Sequence, residues 1–185
     1  MELLLTTSRL TLRKFTHADL PGFIRYRSNP AVARFQTWEN YTREDAEAFY
    51  AQQLPLAFNT VGSWFQIAVV RTEDGVLLGD VAVHFIDEGR QAELGMTFDE
   101  PFQRQGYARE ALTAVITLLF EQLNKHRLVA TIDARNDRAA RLLEKLGFRR
   151  EAHFRQNIFF KGGWGDEYAY GLLRSEWENA PLSAC

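Results

Sequence analysis

The chain is poor in several features that would settle its class at once. Its one cysteine is Cys185, the last residue. No intrachain disulfide can form, which fits a reducing compartment, and a terminal thiol is a poor place for a nucleophile. Neither sign of charge is in excess: 22 Lys and Arg face 24 Asp and Glu, a net −2. That argues against nucleic acid as the main partner, which demands a basic footprint. No apolar run reaches transmembrane length, so no membrane contact is expected. The opening Met1-Glu-Leu-Leu-Leu-Thr-Thr lacks the basic flank of a signal peptide, so the expected location is cytoplasmic. His17, His84, His126 and His153 are scattered without ligand spacing, so no metal is expected. Neither G-x-x-x-x-G-K-[ST] nor G-x-G-x-x-G occurs, which disfavours a P-loop and a dinucleotide fold.

What the chain has is core material. Hydrophobic residues make up 46% of 185, with 14 Phe, 6 Tyr and 4 Trp. That suits one domain spanning 1–185. Ser8 to Phe15 alternates like a strand. A helix begins near Ala18 or Asp19 and reaches Tyr26, because Pro21 belongs in a first turn. Asn29-Pro30 signals a turn. Thr42-Arg-Glu-Asp45 resembles a capping box, opening a helix that ends near Leu54-Pro55. Ser63 to Arg71 and Val76 to Phe85 form a hairpin through Glu73-Asp-Gly75. Gln91 to Phe98 is a strand, and Tyr107 to Leu123 carries one apolar stripe of a helix. Arg127 to Asp133 is a strand, and Asn136 to Leu146 a helix stopped by Gly147. Phe148 to Phe160 and Glu167 to Leu173 close the order β-α-α-β-β-β-α-β-α-β-β. This order predicts an α/β (α+β) fold with a mixed, mostly antiparallel central sheet and helices on both faces.

The densest chemistry lies at Gln103-Arg-Gln-Gly106-Tyr-Ala108, between a strand and a helix. Free backbone N–H groups at such a helix start, with the positive end of its dipole, form a seat for phosphate or pyrophosphate. Asn136-Asp-Arg-Ala-Ala-Arg-Leu-Leu-Glu-Lys-Leu-Gly-Phe148 follows, with Asn136 at an N-cap position. Read together, the two segments suggest a coenzyme A site and an acyltransferase.

These residues resemble the GNAT superfamily of acetyl-CoA-dependent N-acetyltransferases. The first segment is similar to its pyrophosphate loop and the second to its Asn-led helix closing on Leu-Gly-Phe. Arg9-Leu-Thr-Leu-Arg13, Glu93-Leu-Gly95 and the closing Gly-Trp-Gly-Asp166…Trp177 are similar to the RimJ/RimL-like subgroup, which acetylates ribosomal-protein N-termini. The resemblance implies acetyl-CoA as co-substrate, with Met96, Thr97, Phe98, Arg104, Gln105, Gly106, Tyr107, Ala108, Arg109 and Asn136 around it. Backbone N–H groups near Met96 to Phe98 are candidate donors to the reacting oxygen. Glu93 is the favoured general base, and Asp166 and Glu167 are alternatives as base or as contacts for a cationic amine. Phe35, Trp38 and Trp164, with Asp166, are candidates for holding an amine acceptor. Two family positions depart from the usual acids: Leu143 stands where many relatives have Tyr, and Ala139 where the subgroup often has Ser. Tyr168 and Tyr170 are weighed as replacements. The resemblance favours a protein N-terminal amine as acceptor, with a polyamine, an aminoglycoside or another small amine next. The rival reading is a non-catalytic acyl-CoA sensor. Homodimer formation stays open.

Overall fold

The computed structural model describes residues 3–179. Cys185 and the start at Met1 lie outside the described residues. The first strands are β1 (Leu4–Thr6) and β2 (Leu10–Lys14), followed by α1 (Leu20–Arg27), α2 (Pro30–Ala33) and α3 (Arg43–Gln53). A meander follows, β3 (Trp64–Arg71), β4 (Leu77–Ile86) and β5 (Gln91–Phe98). Next come α4 (Tyr107–Thr117), β6 (Arg127–Asp133) and α5 (Asp137–Lys145). The hairpin β7 (Arg149–Phe160) and β8 (Gly163–Leu173) precedes α6 (Arg174–Asn179).

Local chemistry explains most boundaries. Before α1, Thr16 and Asp19 form a reciprocal capping box, with Pro21 in the first turn. Thr42 and Asp45 do the same for α3, where the Thr42 amide donates to Asp45 at 2.8 Å. Asn29-Pro30, expected as a turn, starts the short α2 instead. The Asn29 side chain accepts from Ala31 N, and Pro30 has no amide to leave unpaired. The α4 rod continues as a π turn over Leu118–Gln122. The final strand begins earlier than expected, at Gly163 rather than Glu167. Lys161 and Gly162 both adopt positive φ, 49° and 80°, so two residues suffice to reverse the chain. Trp164, Gly165 and Asp166 are therefore strand residues.

The sheet has eight strands in the order β1-β2-β3-β4-β5-β6-β8-β7. Every pairing is antiparallel except β5 with β6. Alternation along β3 divides the core. Ile67 and Val69 pack with Leu112, Val115 and Ile116 of α4 on one side of the sheet. Ala68 and Val70 pack with Phe23 and Tyr26 of α1 and Ala46 of α3 on the other. The parallel pairing at the centre is short. Gln91, Ala92 and Glu93 stand against Arg127, Leu128 and Val129, and beyond them the two strands part.

Candidate active site

A cleft of about 460 Å³ opens where β5 and β6 separate. One wall is Leu94, Gly95, Met96 and Thr97 of β5, and the facing wall is Ala130, Thr131, Ile132 and Asp133 of β6. Leu112 of α4 and Asn136, Ala139 and Leu143 of the Asn136–Lys145 segment border it, and Phe35 to Trp38 close it from above. Trp64, Gln66, Asp80 and Ala82, from β3 and β4, extend it along the α1 side of the sheet.

At the α4 end the backbone is shaped for an anion. Gly106 caps the helix at φ 84°, and Arg104 also has positive φ, 63°. Among the described residues, no amide from Arg104 to Arg109 donates to another protein atom. Six consecutive free donors at a helix start can donate to an anion's oxygens. Arg9 braces this loop from β2. It donates to the Gln105 carbonyl at 3.0 Å, pairs with Glu110 at 2.6 Å and lies over the Tyr107 ring at 4.4 Å. Glu110 also accepts from Thr7, Ser8 and the Arg9 amide. Burial opposes its ionisation, but these bonds hold its carboxyl below the usual range. Asn136 accepts from Ala139 N at 3.2 Å, a genuine N-cap, while its amide nitrogen is free to face the cleft.

The other end is aromatic and acidic. Glu93 of β5 stands opposite His84 of β4, beside the cleft rather than among its lining residues, with Oε2 at 3.7 Å from Nδ1. His84 is stacked on Trp64, centroids 4.7 Å apart and planes 17° apart. Deeper, the 1% exposed Asp80 accepts a hydrogen bond from Tyr26 and lies 3.7 Å from Arg27. Burial pushes the Asp80 carboxyl up, and Arg27 and Tyr26 pull it back only in part. The Arg27 guanidinium sits between the Phe23 and Trp38 rings, at 4.2 and 3.8 Å. Lys161, at the tip of the β7–β8 hairpin, donates to the Ala33 carbonyl at 2.6 Å and pairs with Glu39 at 3.2 Å. That contact ties the hairpin to the Phe35–Trp38 segment.

The residues singled out in the sequence thus fall into groups. Met96, Thr97, Asn136, Phe35 and Trp38 line one cleft, and the 104–109 loop opens the helix whose Leu112 borders it. Phe98 lies behind it, 7% exposed in the core against α4. Trp164 and Asp166 do not join the cleft. Trp164 is 65% exposed and packs edge-on against Phe159. Asp166 accepts from Gln156 N at 2.9 Å and His153 at 2.7 Å, which hold its carboxyl down. Strand alternation explains both: they belong to β8, not to a loop over the cleft. Glu167, their neighbour, does line it and accepts from Asn157. Leu143 and Ala139 sit where acids were looked for and are apolar and buried. Tyr170 is turned to Glu144 at 3.1 Å, and Tyr168 packs against His153. Trp64, Gln66, Asp80 and Thr131 were missed. They lie on three strands, Trp64 and Gln66 on β3, Asp80 on β4 and Thr131 on β6, and only the sheet's register brings them to one cleft. Among the described residues, no His, Cys, Asp and Glu cluster could hold a metal, and no helix is long and apolar enough to cross a membrane.

A family model described as "Acetyltransferase (GNAT) domain" matches residues 9–149. The uncharacterized N-acetyltransferase YnaD of Bacillus subtilis is 31% identical, over 94% of this chain and 98% of its own. The [ribosomal protein uS5]-alanine N-acetyltransferase of Escherichia coli is 26% identical over 65% of this chain and 63% of its own. A GNAT-family acetyltransferase structure from Bacillus anthracis superposes with a TM-score of 0.85 at 27% identity, covering 94% of this chain and 99% of that one. The spermidine N-acetyltransferase of Vibrio cholerae, in complex with CoA and spermine, shares the fold with a TM-score of 0.80 at 24% identity. That match covers 94% of this chain and 100% of the other.

Proposed function

The chain belongs to the GNAT acetyltransferase family, and we propose that it carries acetyl from acetyl-CoA directly to a primary amine entering from the α1 side of the sheet. The observation that carries this reading is the run of free amides at Arg104–Arg109, at the start of the helix whose Leu112 lines the cleft that parts β5 from β6. Acetyl-CoA supplies an acetyl group already activated as a thioester. Arg104, Gln105, Gly106, Tyr107, Ala108 and Arg109 hold its pyrophosphate, with Arg9 keeping the loop in shape. The Asn136 amide and the unpaired edge of β5 around Met96 and Thr97 steady the arm that leads to the reacting end. Phe35 and Trp38 wall the acceptor side.

An amine in water near neutral pH is largely an ammonium ion and must lose a proton before it attacks. Glu93 is the base in this proposal, directly or through one water. Leu143 and Ala139 offer no proton to the departing sulfur. A thiol with an ordinary pKa near 8.5 leaves tolerably with water as the donor. The favoured acceptor is a protein N-terminal α-amine, in line with the uS5-alanine relative. A small polyamine comes second, in line with the spermidine enzyme that shares the fold.

The test is CoA release from acetyl-CoA by purified protein, against separate pools of N-terminal peptides, polyamines and aminoglycosides. Release above the no-amine rate with peptides supports the first acceptor, and release with polyamines alone replaces it by the second. Acetyl-CoA binding without release on any pool overturns the transfer reading for these acceptors. Glu93→Gln is expected to lower kcat by about a hundredfold, the low end for a positioned base, with the KM for acetyl-CoA unchanged. A wild-type kcat would clear Glu93.

A further inference from the structure

We propose that His84 is a positioning residue for Glu93 and the exit for the proton that Glu93 takes from the acceptor. The proposal rests on Glu93 being the base. Its starting point is an oddity in the hydrogen bonding. His84 Nδ1 is buried and has no hydrogen-bond partner. A buried polar atom left in that state costs about 1–3 kcal/mol. Its nearest charged neighbour is Glu93 Oε2, at 3.7 Å, a little beyond hydrogen-bond length. A side-chain shift of under about 1 Å closes the bond.

The surroundings fix the ring for that purpose. Trp64 stacks on it with nearly parallel planes, and the Trp64 carbonyl is itself held by Gln53 Nε2 at 3.0 Å. Trp64 also lines the cleft. The His84 side chain is 25% exposed while Nδ1 is buried, so water reaches the ring from its other edge. One ring nitrogen thus faces the base and the rest faces solvent.

Proton bookkeeping gives this arrangement a use. The acceptor's ammonium N–H bond breaks and its proton goes to a Glu93 oxygen, leaving the nitrogen lone pair free. Glu93 then passes the proton to Nδ1, which holds a lone pair in the tautomer with hydrogen on Nε2. The imidazolium loses its Nε2 proton to water, the ring returns to its starting tautomer by exchange with water (one proton gained at Nε2, the Nδ1 proton released), and the next cycle begins with an ionised carboxylate. No electrons change hands.

Other charges around this pair are engaged elsewhere. On β6, Val129 stands beside Glu93, and the next residue on that face, Arg127, is held by Glu151 at 2.8 Å. On β4, Asp80 is tied to Tyr26, and Asp87, past the strand's end, to Arg90. From α1, Arg27 reaches Asp80 and Arg25 reaches Asp99. Among the described residues, Glu93 is the one charged group within ion-pair reach of His84.

The experiment is kcat/KM against pH, with the amine that supports turnover, for wild type, His84→Gln, Glu93→Gln and the double variant. His84→Gln is expected to lose about a hundredfold in kcat near neutral pH. The KM for acetyl-CoA should stay unchanged, and the acidic limb of the profile should move. The double variant should be no slower than Glu93→Gln alone, because the two residues act in series. An unchanged pH profile in His84→Gln, or losses that multiply in the double variant, overturns the relay while leaving Glu93 as base. A wild-type rate in Glu93→Gln overturns the base assignment and the relay with it. NMR titration of the His84 ring gives a readout independent of turnover. Its midpoint should fall in Glu93→Gln, and an unmoved midpoint denies the coupling.

Discussion

Replacing Gly106 by alanine separates backbone geometry from bulk in the anion loop. A methyl at this position meets only the end of the Arg9 side chain, at 3.2 Å. That side chain is 43% exposed and can give way. The remaining cost is conformational: an L-residue in the left-handed region, here at φ 84°, is worse than glycine by roughly 1–2 kcal/mol. That cost must appear in one of two places. If the loop keeps its shape, the folded state carries the penalty. For a chain of this size each kcal/mol lowers Tm by about 2–4 °C, so a fall of about 2–8 °C is expected. If the loop relaxes instead, the six amides no longer converge, and the penalty falls on the cofactor. Its Kd should then rise by about 5- to 30-fold. Calorimetric melting and CoA titration on the same preparation measure both, and the two losses should sum to about 1–2 kcal/mol. A variant that melts and binds as wild type does refutes the claim that this glycine is required by its backbone angle.

Two further outcomes follow from the charges. Asp80→Ala leaves the Arg27 guanidinium buried between two rings without its counter-charge. It should cost about 3–5 kcal/mol by denaturant titration, and adding Arg27→Met should return much of that; no recovery in the double variant refutes the pairing. Asp19 is opposed by its own burial, yet bonds from Arg13 and Thr16 hold its carboxyl below the ordinary value. Its stabilisation is therefore present above the unfolded-state value near 3.9 and lost as pH falls through the lower folded value. Asp19→Asn should be about 1.5–3 kcal/mol less stable than wild type at pH 7, and the gap should close in acid. A gap that persists to about pH 2 refutes this account.

The parts legible in the sequence were those fixed by short-range chemistry. Gly106 before an apolar stripe, Asn136 at a cap and Thr42 with Asp45 each state their geometry within a few residues, and each stands where it was read. The start of α2 was illegible because Asn29-Pro30 suits a turn and a helix start equally well. Trp164 and Asp166 stand off the cleft for a related reason. A glycine-rich segment reads as loop, but Lys161 and Gly162 alone make the turn and leave the rest to pair with β7. The pair of Glu93 and His84 lies nine positions apart along the chain, with nothing local to join them. Only the β4–β5 register makes them neighbours. The same holds for Asp80, which finds Tyr26 across 54 positions.

The short pairing between β5 and β6 has a consequence for the sheet as a whole. A sheet of eight strands ordinarily has two borders, here β1 and β7. This one has four, because Leu94–Phe98 and Ala130–Asp133 are borders in its middle. Borders on the outside of a protein invite other chains to add a strand, and proteins must guard them. The inner pair needs no such guard, since a folded neighbour cannot enter a cleft of about 460 Å³. Only a thin, extended molecule with its own amide donors and acceptors can lie between them. In hydrogen exchange, the amides of these segments should behave as peripheral ones although they sit at the centre of the sheet, and they should slow once such a molecule completes the ladder.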